Sequence, residues 1–272
     1  MSTRNILVHG HIFKNAGTTL DWCLKRHFGS GFLDHRDDKP MRTDGADYLG
    51  PFLLSNPKLM AISSHHLCYP LPELTGVTLH AIYLFRHPIE RVLSVYEFER
   101  QQRAQTPGAV NAKRMDITEY IRWRLTPESG ATIRNYHVRY LAGLHRASKR
   151  ALTNDDYEIA QANLHERARI GLVERYDESF VEFEYALQDA FQLDLANVPQ
   201  NVNTARAERA EDRVVELRAR LGEPLFREVE AANELDLSLY AEAKDLLDQR
   251  TVSIPCFDES LREFRARCER LR

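Results

Sequence analysis

Residues 5–20 read NILVHGHIFKNAGTTL. Positions 5–13 form a β-branched and apolar run, and the polar turn Lys14-Asn15-Ala16-Gly17 ends it. Beyond the turn, Leu20, Cys23, Leu24 and Phe28 recur at helical spacing, so a strand passes through a glycine-containing turn into a helix. The same order returns at 77–96. VTLHAIYLF is nearly continuously apolar, as in a strand covered on both faces, and Pro88 stands at a first helical position ahead of an Ile89, Val92, Leu93, Tyr96 stripe. Residues 58–64 read as a strand between these two, and 169–174 as a fourth. Strand, turn and helix repeated in a parallel sense predict an α/β fold: a P-loop-like parallel sheet flanked by helices, with a mostly helical C-terminal half.

Elsewhere the pattern is less regular. Residues 34–51 and 101–114 read as polar loops, 117–125, 131–144, 155–168 and 179–191 as helices, and 199–206 as a polar stretch before three or four further helices. In the last of these Phe257, Leu261, Phe264, Cys268 and Leu271 form one apolar seam, expected to pack on the body of the protein. The 272 residues carry 37 Lys plus Arg against 40 Asp plus Glu, a net charge of −3 that gives no general attraction to nucleic acid. Mean hydropathy is −0.48, and the absence of an apolar run of about 18 residues excludes a spanning helix. The four cysteines lie far apart without a CxxC pair, which implies neither a disulfide scaffold nor a zinc ribbon. With no signal-peptide pattern at the start, the expected location is cytoplasmic.

The chemistry concentrates in two segments. A helix N-terminus presents unpaired amides and a positive dipole end; Gly17 permits close approach of an oxyanion, Thr18 and Thr19 add hydroxyls, and Lys14 adds charge. A Walker A loop would place lysine directly after its last glycine, whereas Lys14 precedes Gly17 by three positions. In the second segment, LFRHPIERVLSVY (84–96), Arg86 falls at the carboxyl end of a strand and Ser94 inside the following helix, which can fold it back beside Arg86.

Together, HIFKNAGTTL and LFRHPIERVLSVY resemble the paired signature of sulfotransferases that use 3′-phosphoadenosine 5′-phosphosulfate (PAPS). Further blocks, NYHVRYLAG (135–143), GLVERYDES (171–179) and NVN (201–203), resemble the branch that includes heparan 2-O-sulfotransferase and small bacterial carbohydrate-type enzymes. Phe13 departs from the usual proline, and His87 from the common Asp or Asn. The resemblance implies one domain over 1–272, with a nucleotide-binding core at about 5–100 and 169–206, a helical insertion at about 101–168 and C-terminal helices from about 207. It also implies that Lys14, Asn15, Ala16, Gly17, Thr18 and Thr19 hold the 5′-phosphosulfate, that Arg86 and Ser94 hold the 3′-phosphate with Asn203 near it, and that no metal is needed.

An acceptor hydroxyl needs a base, and the stretch AISSHHLCYP (61–70) offers His65, the better match to the family's histidine, or His66. The expected acceptor is a hydroxyl on a carbohydrate or related metabolite. Arg139 either binds it or braces the structure. A basic set (Lys113, Arg114, Arg122, Arg124, Arg134, Arg146, Lys149, Arg150) either meets an acidic glycan or forms a solvated face. The competing readings are an ATP-dependent kinase and a nucleotide-binding module without catalysis.

Overall fold

A computed structural model describes residues 3–67, 69–144, 150–198 and 210–272. The elements run β1 (Arg4–Gly10), α1 (Gly17–Phe28), β2 (Phe32–Asp34), α2 (Asp38–Asp44), α3 (Ala46–Ser55), β3 (Ala61–Ser64), β4 (Val77–Phe85) and α4 (Pro88–Gln101). They continue with α5 (Pro107–Arg114), α6 (Ile117–Leu125), α7 (Tyr136–Leu141), α8 (Asn154–Glu166), β5 (Ala168–Leu172), α9 (Tyr176–Ala186) and α10 (Gln188–Phe191). The last four are α11 (Ala210–Leu221), α12 (Glu223–Ala231), α13 (Glu234–Val252) and α14 (Phe257–Glu269). The five strands pair in parallel in the order β2-β3-β1-β4-β5. The fold is therefore α/β, a parallel sheet with helices on both faces.

The period of two along the strands explains the layering. In β4, Ala81, Tyr83 and Phe85 face one side and join Val138, Leu141, Leu164, Leu239 and Leu247 from α7, α8 and α13. Ile82 and Leu84 face the other, against Leu20 and Leu24 of α1, Phe180 and Phe183 of α9 and Phe264 of α14. Ile6 and Val8 of β1 continue the first face under α2 and α3. Each fully buried Leu, Ile or Phe contributes about 1.5–3 kcal/mol, so the alternation fixes the register. At Gly10 a Cβ would sit 1.7 Å from the Tyr83 ring, so only glycine lets β1 close on its neighbour.

Several sequence expectations need correction. The stretch 34–51 is not a loop: α2 and most of α3 occupy it, turning at Gly45, whose φ is 52°, with Met41, Leu49 and Leu53 buried. The charges of α2 and the Gly50-Pro51 pair inside α3 read as loop residues. Within 101–114, α5 begins after Thr106, whose hydroxyl accepts from the Ala109 amide, with Pro107 in the first turn; a cap and proline mark this start. The helix expected at 131–144 starts only at Tyr136, because Asn135 is left-handed at φ 42°. The strand expected at 58–64 is the four residues of β3. A three-residue edge strand, β2, precedes it and went unread. The C-terminal seam packs on the body as expected through Phe257, Leu261, Phe264 and Cys268, while Leu271 is exposed.

One helix end is finished by another helix. The Asp236 carboxylate of α13 accepts from the His137 and Val138 amides of α7, both at 2.9 Å, and burial pushes its pKa up to about 6. An Asn there retains one acceptor oxygen and turns an NH2 toward the other amide. Asp236→Asn is expected to cost about 1–3 kcal/mol, read as a lowered melting temperature at pH 8, where the native carboxylate is ionised.

Candidate functional site

The carboxyl ends of β1 and β4 are neighbours, with Gly10 paired to Tyr83, and their following connections leave toward opposite ends of the sheet. Such a switch point opens a crevice at the strand ends. The loop 11–16 leaves β1 there, Arg86 leaves β4, and His65 follows β3, whose Ser64 pairs with Gly10.

The turn itself is unusual. Lys14 and Ala16 both hold left-handed backbone, at φ 66° and 56°. Between them Asn15 turns inward, 1% exposed, and its Nδ2 donates to the Leu84 carbonyl at 2.7 Å and to His137 Nε2 at 2.9 Å. His137 stacks on Phe85 with ring centroids 4.3 Å apart, and burial holds it well below its ordinary pKa, so it is a neutral acceptor. The side chain of Asn15, a residue expected to touch the anion, ties the loop to β4 and α7, and its backbone amide donates to the Ile12 carbonyl.

Beyond the turn, α1 starts at Gly17 with Ala16 as its cap, a residue with no side chain to offer the first amides, and no acidic residue stands in the first turn. Those donors are the group an anion meets. Thr18 is exposed beside them, whereas Thr19 is buried and hydrogen-bonded to Tyr176. Lys14 Nζ lies 4.5 Å from the Phe98 ring centroid, on α4.

Arg86 and Ser94, eight positions apart, do meet: Nη1 donates to the serine hydroxyl at 2.6 Å. Sequence reasoning missed the carboxylate that joins them. Glu90, fully buried, lies 3.3 Å from Arg86 Nε and 3.1 Å from Arg213 Nε of α11. Glu174 was missed as well; it accepts from the His87 amide at the start of α4 and from the Tyr240 hydroxyl, both at 2.8 Å. Asn203 lies outside the described residues.

His65 Nδ1 donates to the His11 carbonyl at 2.8 Å, which leaves Nε2 with the lone pair. Burial, then the neighbouring His11, pushes its pKa down to about 3. His66 turns elsewhere, with Nε2 3.7 Å from Asp38. A third group went unread: Asp21 of α1 sits between His9 Nδ1 and His11 Nδ1, at 2.7 Å from each. Among the described residues these three gather their ligand atoms within 4.8 Å, as a metal site does. Both carboxylate oxygens, however, are already committed to ring N–H groups.

The basic set does not form one open face. Arg124 is buried against Glu99 at 2.5 Å, Arg150 pairs with Asp156 at 2.6 Å, and Arg146 and Lys149 lie outside the described residues. Arg139 is 8% exposed and donates to the Arg150 carbonyl, the bracing alternative, while it also lines a cavity of about 420 Å³ with Arg134, Leu125 and Leu152.

No family model matches the chain. An uncharacterised protein of Archaeoglobus fulgidus is 28% identical over 249 residues, which cover 89% of this chain and 97% of that protein. A solved sulfotransferase structure from Alicyclobacillus acidocaldarius aligns over 88% of this chain and 99% of its own at 16% identity, with a TM-score of 0.36. At that distance neither neighbour carries a function over to this chain. Among the described residues no helix is long and apolar enough to cross a membrane.

The brace at Asn15 has a measurable cost. Asn15→Ala leaves the Leu84 carbonyl and His137 Nε2 without their donor in a dry interior, a loss of about 1–3 kcal/mol. A lowered denaturation midpoint in urea checks it; an unchanged midpoint would show that the loop is held by other contacts.

Proposed function

We propose that the chain is a PAPS-dependent sulfotransferase acting on an acceptor hydroxyl of a carbohydrate or related metabolite. One observation carries the reading: two segments suited to anions leave adjacent parallel strands at the same level, with a neutral imidazole beside them. A single nucleotide with phosphate groups at its 5′ and 3′ ends matches that pairing. The sequence resemblance of the same two segments supports it independently. The single-domain division read from the sequence and a cytoplasmic location belong to the same proposal.

In this reading the amides at the start of α1, Thr18 and Lys14 hold the 5′-phosphosulfate, and Arg86 with Ser94 holds the 3′-phosphate. The acceptor oxygen attacks sulfur in line; an S–O bond forms to the acceptor as the S–O bond to the 5′-phosphate breaks. The hydroxyl proton passes to His65 Nε2, and adenosine 3′,5′-bisphosphate leaves with Lys14 balancing the charge on its phosphate. Transfer of this kind depends on positioning and charge stabilisation, which these donors supply without a metal. A free-state pKa of about 3 makes His65 fully available as a base at neutral pH; the arriving anion raises its proton affinity where the proton is wanted.

Calorimetric titration with adenosine 3′,5′-bisphosphate, without metal, should show tight binding that ATP does not match and that Arg86→Ala removes. Preference for ATP with Mg²⁺ would overturn the reading in favour of a kinase. His65→Ala should abolish transfer from PAPS while leaving affinity for the bisphosphate within about twofold, since it removes the base and not the cradle. The depressed pKa has its own check. An ordinary histidine at about 6.5 is mostly protonated at pH 5. The imidazole resonance missing from His65→Gln spectra should instead stay at its neutral position from pH 8 to pH 5 in the unliganded protein. A midpoint near 6.5 would refute the shift.

A further inference from the structure

We infer that the cavity between α6, α7, α12 and α13 binds a small organic carboxylate, a molecule with one anionic head and an apolar body, at a site separate from the crevice at the strand ends.

The cavity, about 420 Å³, is walled by segments far apart in the chain: Leu125 ends α6, Arg139 belongs to α7, Leu152 precedes α8, and Glu228 and Leu235 come from α12 and α13. Arg134 lines it from the segment just before α7. Ligand pockets commonly span roughly 300–1,000 Å³, so a volume near the low end suits a small molecule rather than an oligosaccharide. His137 and Arg139 are two positions apart on α7, about 200° around a helix. His137 turns to Asn15 and the Phe85 ring while Arg139 turns to the cavity, so α7 stands between this cavity and the loop after β1.

Two guanidinium groups meet here. Arg134 Nη2 donates to the Gly130 carbonyl at 2.9 Å, whereas its Nε is buried and has no hydrogen-bond partner among the described residues. A dry donor without an acceptor is costly, and a guest that supplies one relieves it. Arg139 donates through Nη2 to the Arg150 carbonyl at 2.8 Å, which leaves the rest of its planar fork for other acceptors. Burial lowers the pKa of both; the charges of Arg134 and Arg150 add to this at Arg139, and Glu128 opposes it at Arg134. The other carboxylates acting on Arg139 are engaged: Asp156 accepts twice from Arg150 at 2.6 Å, and Asp236 accepts from the His137 and Val138 amides. A carboxylate answers both needs, since its two oxygens match the guanidinium fork and its charge faces two cations. Leu125, Leu152 and Leu235 give its body an apolar wall. Glu228, exposed on the same lining, makes a second negative charge unfavourable, so a monocarboxylate fits better than a phosphate dianion or a sulfated glycan.

The test is titration of the intact protein with sodium hexanoate at pH 7.5 and fixed ionic strength, followed by backbone ¹H–¹⁵N signals. Saturable shifts with a millimolar midpoint are expected at 134–139, 151–152 and 232–235, the affinity open to so small a ligand. Arg134→Lys keeps the charge but loses the fork, and should raise the midpoint about tenfold or more. Ala151→Glu changes an exposed residue of the lining, which spares the core, and its carboxylate should weaken hexanoate as strongly by occupying the guanidinium groups. Arg86→Ala, at the strand-end crevice, should leave the midpoint where it is. Inorganic phosphate and hexylammonium should give no saturable shift at these positions. Failure to saturate, shifts centred on 11–19 or 86–94, a midpoint indifferent to both Arg134→Lys and Ala151→Glu, or phosphate binding more tightly than hexanoate would each overturn the inference, and none of them bears on the nucleotide reading.

Discussion

The arrangement of the site depends on one buried amide. Asn15 sits between two residues whose backbone is left-handed, a conformation that costs non-glycine residues about 1 kcal/mol or more each. Its side chain offsets that cost by joining the Leu84 carbonyl of β4 to His137 of α7 in the dry interior. Because Asn15 points inward, its neighbours cannot: Lys14 is carried outward toward Phe98, and the chain turns so that α1 begins with open amides. His137 is held in turn by its stacking on Phe85 and by the hydrogen bond its backbone amide donates to Asp236. The loop is therefore tied through α7 to α13, an element more than two hundred residues further along the chain.

Two charge clusters flank this turn, and they work by opposite means. Around Asp21 one carboxylate serves two imidazoles, with a ring nitrogen of each 2.7 Å from one of its oxygens. Around Glu90 one fully buried carboxylate lies between two guanidinium groups that stay charged at any accessible pH, Arg86 and Arg213. The second arrangement sets two guanidinium groups on one carboxylate at the end of β4, with Glu174 at the adjoining start of α4. The first holds its one carboxylate through imidazoles rather than guanidinium groups. Arg86 is also hydrogen-bonded to Ser94, so Glu90 and Ser94 together hold its guanidinium at the start of α4 before any ligand is present.

What could be read in advance follows from which signals are local. The strands β1 and β4 were legible because each is an apolar run ended by a turn, and Arg86 and Ser94 could be paired because helix geometry relates positions eight apart. The pairing of His65 with the turn after β1 required only that β3 lie next to β1. Asp21, Glu90 and Glu174 were not legible: each sits in or just before a helix where an acidic residue is ordinary, and its partners come from other segments. The inward turn of the Asn15 side chain was not legible for the same reason, since its partner His137 lies more than one hundred positions away. The edge strand β2 is three residues long, too short for a period of two to emerge.

The neutral state of His65 is a consequence of this packing. Its Nδ1–H is committed to the His11 carbonyl and its ring lies against the His11 ring, so burial and His11 outweigh the pull of Asp21, which is hydrogen-bonded to His9 and His11. A proton on that ring is therefore held weakly, with the pKa pushed down to about 3. His66, directed toward Asp38 on the far side, has the opposite surroundings, with a carboxylate nearby. Two adjacent histidines on one short turn are thereby separated by what each faces, a backbone carbonyl for His65 and a carboxylate for His66.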